Sequence, residues 1–353
     1  MDKISKINLE VLNYEKEIGD SRLELKIKGD NIDYIILNTI RRMILSEIPI
    51  YAFNEFKFDK NTSIFHNNYL KLRYKYMPVW GIDNNIDYID TPNKKDIIIT
   101  KNEEELDDLD NIDINIDNNI NSSSLNQLTM YVMHKNKSID IITVSTDDAK
   151  FYYKEKQIEN PYKTPIPLIK LQANQEISFS AITQIGIEQM DTMYSAVSIA
   201  VYKQINDNEF DLIIESRGQI TEKRIIIVAL INLMNRLNNF IKVLFDNSHD
   251  NSHDKLKDIL ENNIQTSINE NALEGMILIN DEDYTLGNLI SRGLQKHKKI
   301  DFASYNLPHP IDRKVIFQYK LNSGNIKNVM KDVVDYYIEL FTKLKDDINK
   351  LKI

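Results

Sequence analysis

Apolar and polar residues alternate over Ile7, Leu9 and Val11, and again over Leu23, Leu25 and Ile27, with Gly19-Asp20 between them. A period of two predicts two strands joined by a turn. The period then lengthens: Ile36, Ile40, Met43 and Ile44 share one face of a helix over "YIILNTIRRMILSEI", which Asp30 or Asp33 can cap and Pro49 closes. Strand patterning returns in "AFNEFKFDKNTS", "ISFSAITQIGI" and "SAVSIAVYKQI". Ile226, Leu230, Leu233, Leu237, Ile241 and Leu244 recur every three or four positions, which predicts a long amphipathic helix starting near Thr221-Glu222. The chain ends with a strand "EGMILIND", a helix "TLGNLISRGLQKH" and two strands, "IDFASYNLPHP" and "KVIFQYKL". A second long helix follows, carrying Val329, Met330, Val333, Tyr337, Leu340, Phe341 and Leu344. At about 1.5 Å per residue that last helix would run close to 40 Å.

Two of these elements open alike. "DYIILNTIRR", Asp33 to Arg42, and "DYTLGNLISR", Asp283 to Arg292, share Asp, Tyr, Asn, Ile and Arg at the same places. Each ten-mer opens a short helix after strands, and each half of the chain closes with a long amphipathic helix. The pattern predicts one unit used twice. The first copy comprises 1–50 and 171–245 around an insertion at 51–170; residues 246–274 form a linker, and 275–353 the second copy. Two such units can pair about a pseudo-two-fold axis, packing their helices as a bundle.

Composition narrows the function. The chain has 53 Asp and Glu against 44 Lys and Arg, a net charge of −9, so tight nucleic-acid binding by this chain alone is disfavoured. No cysteine is present, which removes disulfides, thiolate zinc sites and cysteine nucleophiles together. The amino terminus lacks the apolar core of a signal peptide, and no run of eighteen apolar residues predicts a membrane span. The acidic tract Asn102 to Ser124 has no glycine for a calcium loop and reads as a solvated insertion. His249 and His253 lie in a tandem "DNSH" repeat without a third ligand, and His309 stands between prolines with no nucleophile beside it. No catalytic residue, metal ligand or cofactor site is expected.

The stretch "NTIRRMILSEIPIYAFNEFKFDKNTSIFHNNYLKLRYKYMPV", Asn38 to Val79, resembles the third-largest subunit of eukaryotic RNA polymerase II and its archaeal counterpart. "ESRGQITEKRIIIVALINLMNRL" matches the closing helix of that protein. "DYTLGNLISRGLQKHKKIDFASYNLPHP", Asp283 to Pro310, resembles the eleventh subunit and its archaeal counterpart through its "DYTLGNL" helix start and "ASYNLPHP". Both are relatives of the bacterial alpha subunit's amino-terminal domain, so the ten-mers look like two descendants of one alpha-type helix. Single-chain fusions of these subunits are a feature of the polymerases of large cytoplasmic DNA viruses, and this chain looks like one.

The resemblance implies an α+β fold: two alpha-type dimerisation units paired as a pseudo-two-fold heterodimer within one chain, the first carrying a mainly β insertion. It implies a non-catalytic platform that docks the second-largest and largest polymerase subunits and small zinc-binding subunits. The location implied is cytoplasmic, in the viral factory, with packaging in the virion left open. Arg41, Arg42, Asn38 and Glu47 are the expected partner contacts. Ile36, Ile40, Leu230, Leu237, Ile241, Leu286, Gly287, Asn288, Leu289, Val333, Leu340 and Phe341 are the expected pairing interface. The family's third subunit often holds zinc or an iron–sulfur centre on a cysteine cluster, which a chain without cysteine cannot build. Its "G-I-x-x-x-H-A-K-W-x-P" loop reads "GIEQMDTMYSA" here, with Asp191, Tyr194 and Ala196 replacing His, Trp and Pro. A two-domain scaffold outside any polymerase is the alternative, and an autonomous nucleotidyl-transfer enzyme the weakest reading.

Overall fold

The computed structural model describes residues 4–16, 21–86, 127–154, 156–245, 264–265, 273–280, 282–308 and 314–352. The acidic tract at 102–124, the two "DNSH" histidines and His309 lie outside them. The chain divides into two compact units: Met1–Ile48 with Ser195–Ile353, and Pro49–Tyr194.

In the larger unit β1 (Asn8–Glu15) pairs antiparallel with β2 (Ser21–Lys28), where Leu23, Leu25 and Ile27 turn inward. Helix α1 (Tyr34–Ser46) follows. Asp33 caps it by accepting from the Ile36 N–H at 3.1 Å, satisfying one of the donors a helix start leaves free. The Glu47 N–H closes the last turn on the Met43 carbonyl before Pro49.

The smaller unit holds β3 (Ile50–Asn61), α2 (Asn67–Tyr74), β4 (Leu128–Lys135), β5 (Ile142–Ser145), β6 (Ala149–Tyr153), β7 (Lys156–Ile158), β8 (Pro167–Leu171) and β9 (Glu176–Gly186). Five strands form an antiparallel sheet in the order β3-β9-β4-β6-β7, and β5 pairs with β8. Its core is aromatic: Tyr74 of α2 stacks on Phe179 of β9 at 5.0 Å, and burial pushes the Tyr74 phenol far above its usual range. The boundary differs from the expected one. Strand β9 falls in the 171–245 segment assigned to the first repeat, yet it pairs with β3 and β4, and the unit runs to Tyr194. A period of two marks a strand without naming its neighbour. The divergent loop folds back on this unit: Tyr194 lies over Gly186, where a Cβ would meet its ring at 2.5 Å, and Asp191 accepts from Lys75 at 3.2 Å.

The larger unit resumes with β10 (Val197–Asn206), β11 (Glu209–Ser216) and α3 (Glu222–Phe245). It continues with β12 (Ile264–Gln265), β13 (Glu274–Asn280), α4 (Tyr284–Gln295), β14 (Ile300–Asn306), β15 (Lys314–Leu321) and α5 (Ile326–Lys350). One sheet has the order β1-β2-β11-β10 and the other β12-β13-β15-β14. Strand for strand the two orders match, with α1 and α4 after the second strand and α3 and α5 after the fourth. The repeat is therefore strand, strand, short helix, strand, strand, long helix; β12 lies within the stretch expected to be linker.

Helix α3 runs antiparallel along α5, and α1 packs against α4. Lys223, in the first turn of α3, donates to the Asn349 and Leu351 carbonyls at the end of α5, where the helix leaves acceptors and partial negative charge. Midway, Thr342 Oγ1 lies 3.3 Å from Met234 Sδ. The stretch Glu222–Lys242 is long and apolar enough to cross a membrane by composition, but 61% of its most apolar window is buried in the fold, the pattern of a core helix.

Candidate functional site: the seam inside the larger unit

The two ten-mers meet. Asp33 Oδ1 is occupied in capping α1, and Asp283 Oδ1 caps α4 by accepting from the Thr285 N–H at 2.8 Å. The second oxygen of each faces the other repeat. Asp33 Oδ2 accepts from Lys296 at 2.8 Å and lies 3.5 Å from Arg292 Nε; Asp283 Oδ2 lies 3.4 Å from Arg42 Nη2, whose Nε donates to Thr285 Oγ1 at 2.7 Å. The first residue of each ten-mer is thus bound by the tenth residue of the other. The contacts are thus reciprocal, i to j and j to i.

Beside this crossing sits a largely desolvated charge cluster, its side chains 12–25% exposed. Arg236 of α3 donates to Glu47 at 2.9 Å and to Glu282, and lies 3.6 Å from Asp283. Asn232, one turn earlier, donates to the Glu47 carbonyl at 2.8 Å. Desolvation alone would lower the Arg236 pKa, but Glu282, Glu47 and Asp283 hold its guanidinium well above the usual range. The carboxylates respond oppositely. Burial, helped by Asp283 and Glu47, raises the Glu282 carboxyl despite its Arg236 bond. Burial would also raise Asp283, but Arg236, the Thr285 donors and Arg42 hold it below the ordinary carboxylate range.

The seam gathers some expected residues and rejects others. Ile36, Ile40, Leu230, Leu237, Leu286, Leu289, Val333, Leu340 and Phe341 are buried, while Ile241 and Asn288 are half-buried. Gly287 was expected in the pairing interface. Instead a Cβ there would meet Tyr305 at 2.8 Å and Val315 at 3.2 Å, residues of its own repeat, so the missing side chain lets α4 approach its own sheet. Glu47 was expected to face an outside partner, but its carboxylate is spent on Arg236 with both side chains almost wholly buried. Arg42 likewise turns to Asp283 and Thr285 across the seam. Arg41 and Asn38 pair with each other: Asn38 Oδ1 accepts from Arg41 Nε at 3.0 Å and Nη2 at 2.9 Å, one helical turn apart. The expectation missed Arg236, Glu282, Thr285, Lys296 and Gly293. Arg236 had a signal, a cation next to Leu237 in the apolar stripe of α3.

Among the described residues no group of three or more His, Asp or Glu side chains is placed to hold a metal. Cysteine is absent from the sequence altogether.

Residues 274–347 match the family described as the RNA polymerase Rpb3/Rpb11 dimerisation domain. The Acanthamoeba polyphaga mimivirus protein named DNA directed RNA polymerase subunit R470 is 26% identical over 347 residues, covering 94% of this chain and 91% of that protein. Over nearly its whole length the chain is thus similar to a viral RNA polymerase subunit, and residues 274–347 to the Rpb3/Rpb11 dimerisation domain. The archaeal RNA polymerase subunit Rpo11 of Saccharolobus shibatae is 48% identical over 48 residues, 14% of this chain and 51% of that protein. The Caenorhabditis elegans RNA polymerases I and III subunit RPAC2 is 27% identical over 70 residues, 20% of this chain and 49% of that protein. The chain thus combines near full-length similarity to a viral protein with a family match at 274–347, in the second repeat.

Proposed function

We propose that this chain is a non-catalytic assembly-platform subunit of a multisubunit DNA-directed RNA polymerase, acting in viral transcription in the cytoplasm. Its two repeats pair as a pseudo-two-fold heterodimer within one chain. Together they present the docking surface for the second-largest subunit, followed by the largest and the small zinc-binding subunits. The crossed Asp33–Arg292 and Asp283–Arg42 contacts carry this reading. They give the ten-mer repeat a physical purpose, because each helix start supplies both halves of a charge pair that a second copy completes. The relatives' names support the polymerase part. Arg41 is the remaining candidate for an outside contact, since its guanidinium is held on the α1 surface by Asn38 and forks suit partner carboxylates.

Co-expression with the other large polymerase subunits tests the proposal. The tagged chain is expected to recover the second-largest subunit, and Arg41→Glu to weaken that recovery while leaving thermal stability unchanged. Recovery of neither large subunit would favour a scaffold outside any polymerase. The purified chain alone is expected to incorporate no nucleotide; incorporation would overturn the non-catalytic assignment.

A further inference from the structure

The crossed Asp–Arg contacts cannot choose between unlike and like pairing. A pair made of two first repeats would offer Asp33 to the other copy's Arg42, and two second repeats would offer Asp283 to Arg292. Selection must reside where the repeats differ. Position by position from the helix starts, α3 and α5 bury the same places: Ile226, Leu230 and Leu237 correspond to Met330, Val334 and Phe341, and all six are buried. In that register Arg236 corresponds to Leu340, which is 0% exposed. The residue before each capping aspartate differs in the matching sense. It is Glu282 in the second repeat and Ile32 in the first, and Ile32 is 2% exposed. The seam therefore has two equivalent corners with opposite chemistry. One joins Arg236 to Glu282. At the other, Asn31, beside Ile32, donates to Tyr336 Oη at 2.9 Å, one turn before Leu340.

We propose that Glu282 is the residue that selects unlike pairing of the repeats; this rests on the pairing reading above. In a pair of second repeats Glu282 would face Leu340, and the position of Glu47 would be held by His297, which is engaged by Asp332 of its own repeat at 3.6 Å. Arg292 and Lys296 would face Asp283 there as they face Asp33 here, but no cation replaces Arg236 opposite Glu282, so this carboxylate would be desolvated without its own counter-charge, which opposes association. A pair of first repeats is opposed less. Arg236 would keep Glu47 and gain Asp33, losing only the Glu282 bond to Ile32. One forbidden combination is enough, because first repeats that pair with each other strand the second repeats with their apolar seam uncovered.

The test uses the full chain with a protease site placed within 246–263, cut after folding, in two preparations carrying different tags on the second repeat. After mixing and exchange, capture on one tag is expected to bring down first-repeat fragments and almost none of the other tag. Glu282→Leu is expected to raise cross-tag capture at least about tenfold, and Glu282→Gln, which keeps the shape without the charge, to raise it to a smaller extent. Fragments that stay paired in unlike fashion, with cross-tag capture equal in all three proteins, would overturn the selector and leave the pairing reading standing. Uncut Glu282→Gln serves as the folding control by thermal denaturation. Fragments of the native sequence that separate into monomers on cutting would overturn both.

Discussion

Arg236 is the residue on which most of the seam's electrostatics converge, since it holds Glu47 and Glu282 directly and stands near Asp283. Truncating one partner of a buried charge network leaves the others without compensation, so Arg236→Ala is expected to cost about 3–5 kcal/mol in urea unfolding. Arg41→Ala, which breaks only a contact along the surface of one helix, should stay within about 0.5 kcal/mol. The cluster also sets an acid response. The Asp283 carboxyl is held low in the folded chain, so its contribution is present above its unfolded pKa of about 3.9 and is lost as pH falls through its lower folded value. Glu282 is shifted the other way, and its protonation in mild acid favours the folded chain. Asp283→Asn is therefore expected to flatten the loss of thermal stability below about pH 4, read as melting temperature against pH. At this scale the Asp33 cap was legible, because a cap has a local signature. The second bonds of the capping aspartates were not, because Arg42 and Arg292 reach residues hundreds of positions away in sequence. Glu47 showed the same limit, its acidic character visible and its partner hidden.

Single elements carry a different constraint. Helix α4 crosses α5 at Gly293, where a Cβ would clash with Val333 Cγ1 and meet Tyr337 Cε2 at 2.8 Å. Gly293→Ala is expected to push the helices apart and cost about 1–3 kcal/mol by thermal denaturation, with α1 and its sheet intact by amide exchange. The helices themselves were readable to within a few residues, since a period of 3.6 depends only on which side faces the core. Which face α4 turns to which neighbour was not, as Gly287 demonstrates by serving its own sheet. The same held for β9, whose alternation marked a strand but whose partners β3 and β4 come from distant parts of the chain.

For the whole molecule, the proposed pairing of the repeats within one chain is expected to leave the protein monomeric in gel filtration; a stable homodimer would point to exchange of repeats between chains. What the amino-acid order determined alone was what had a clear short period or a repeated motif: the two long helices, the short helices that open on the ten-mers, the Asp33 cap and the strands beside them. These follow from local stereochemistry and from the need of each amphipathic face to be covered. Only the tertiary structure decided that 49–194 closes as its own unit, that Arg42 and Glu47 turn inward, and that Arg236 meets Glu282 across the seam. Those outcomes depend on which distant side chains share a desolvated space, and the cost of burying a charge is set by its neighbours there.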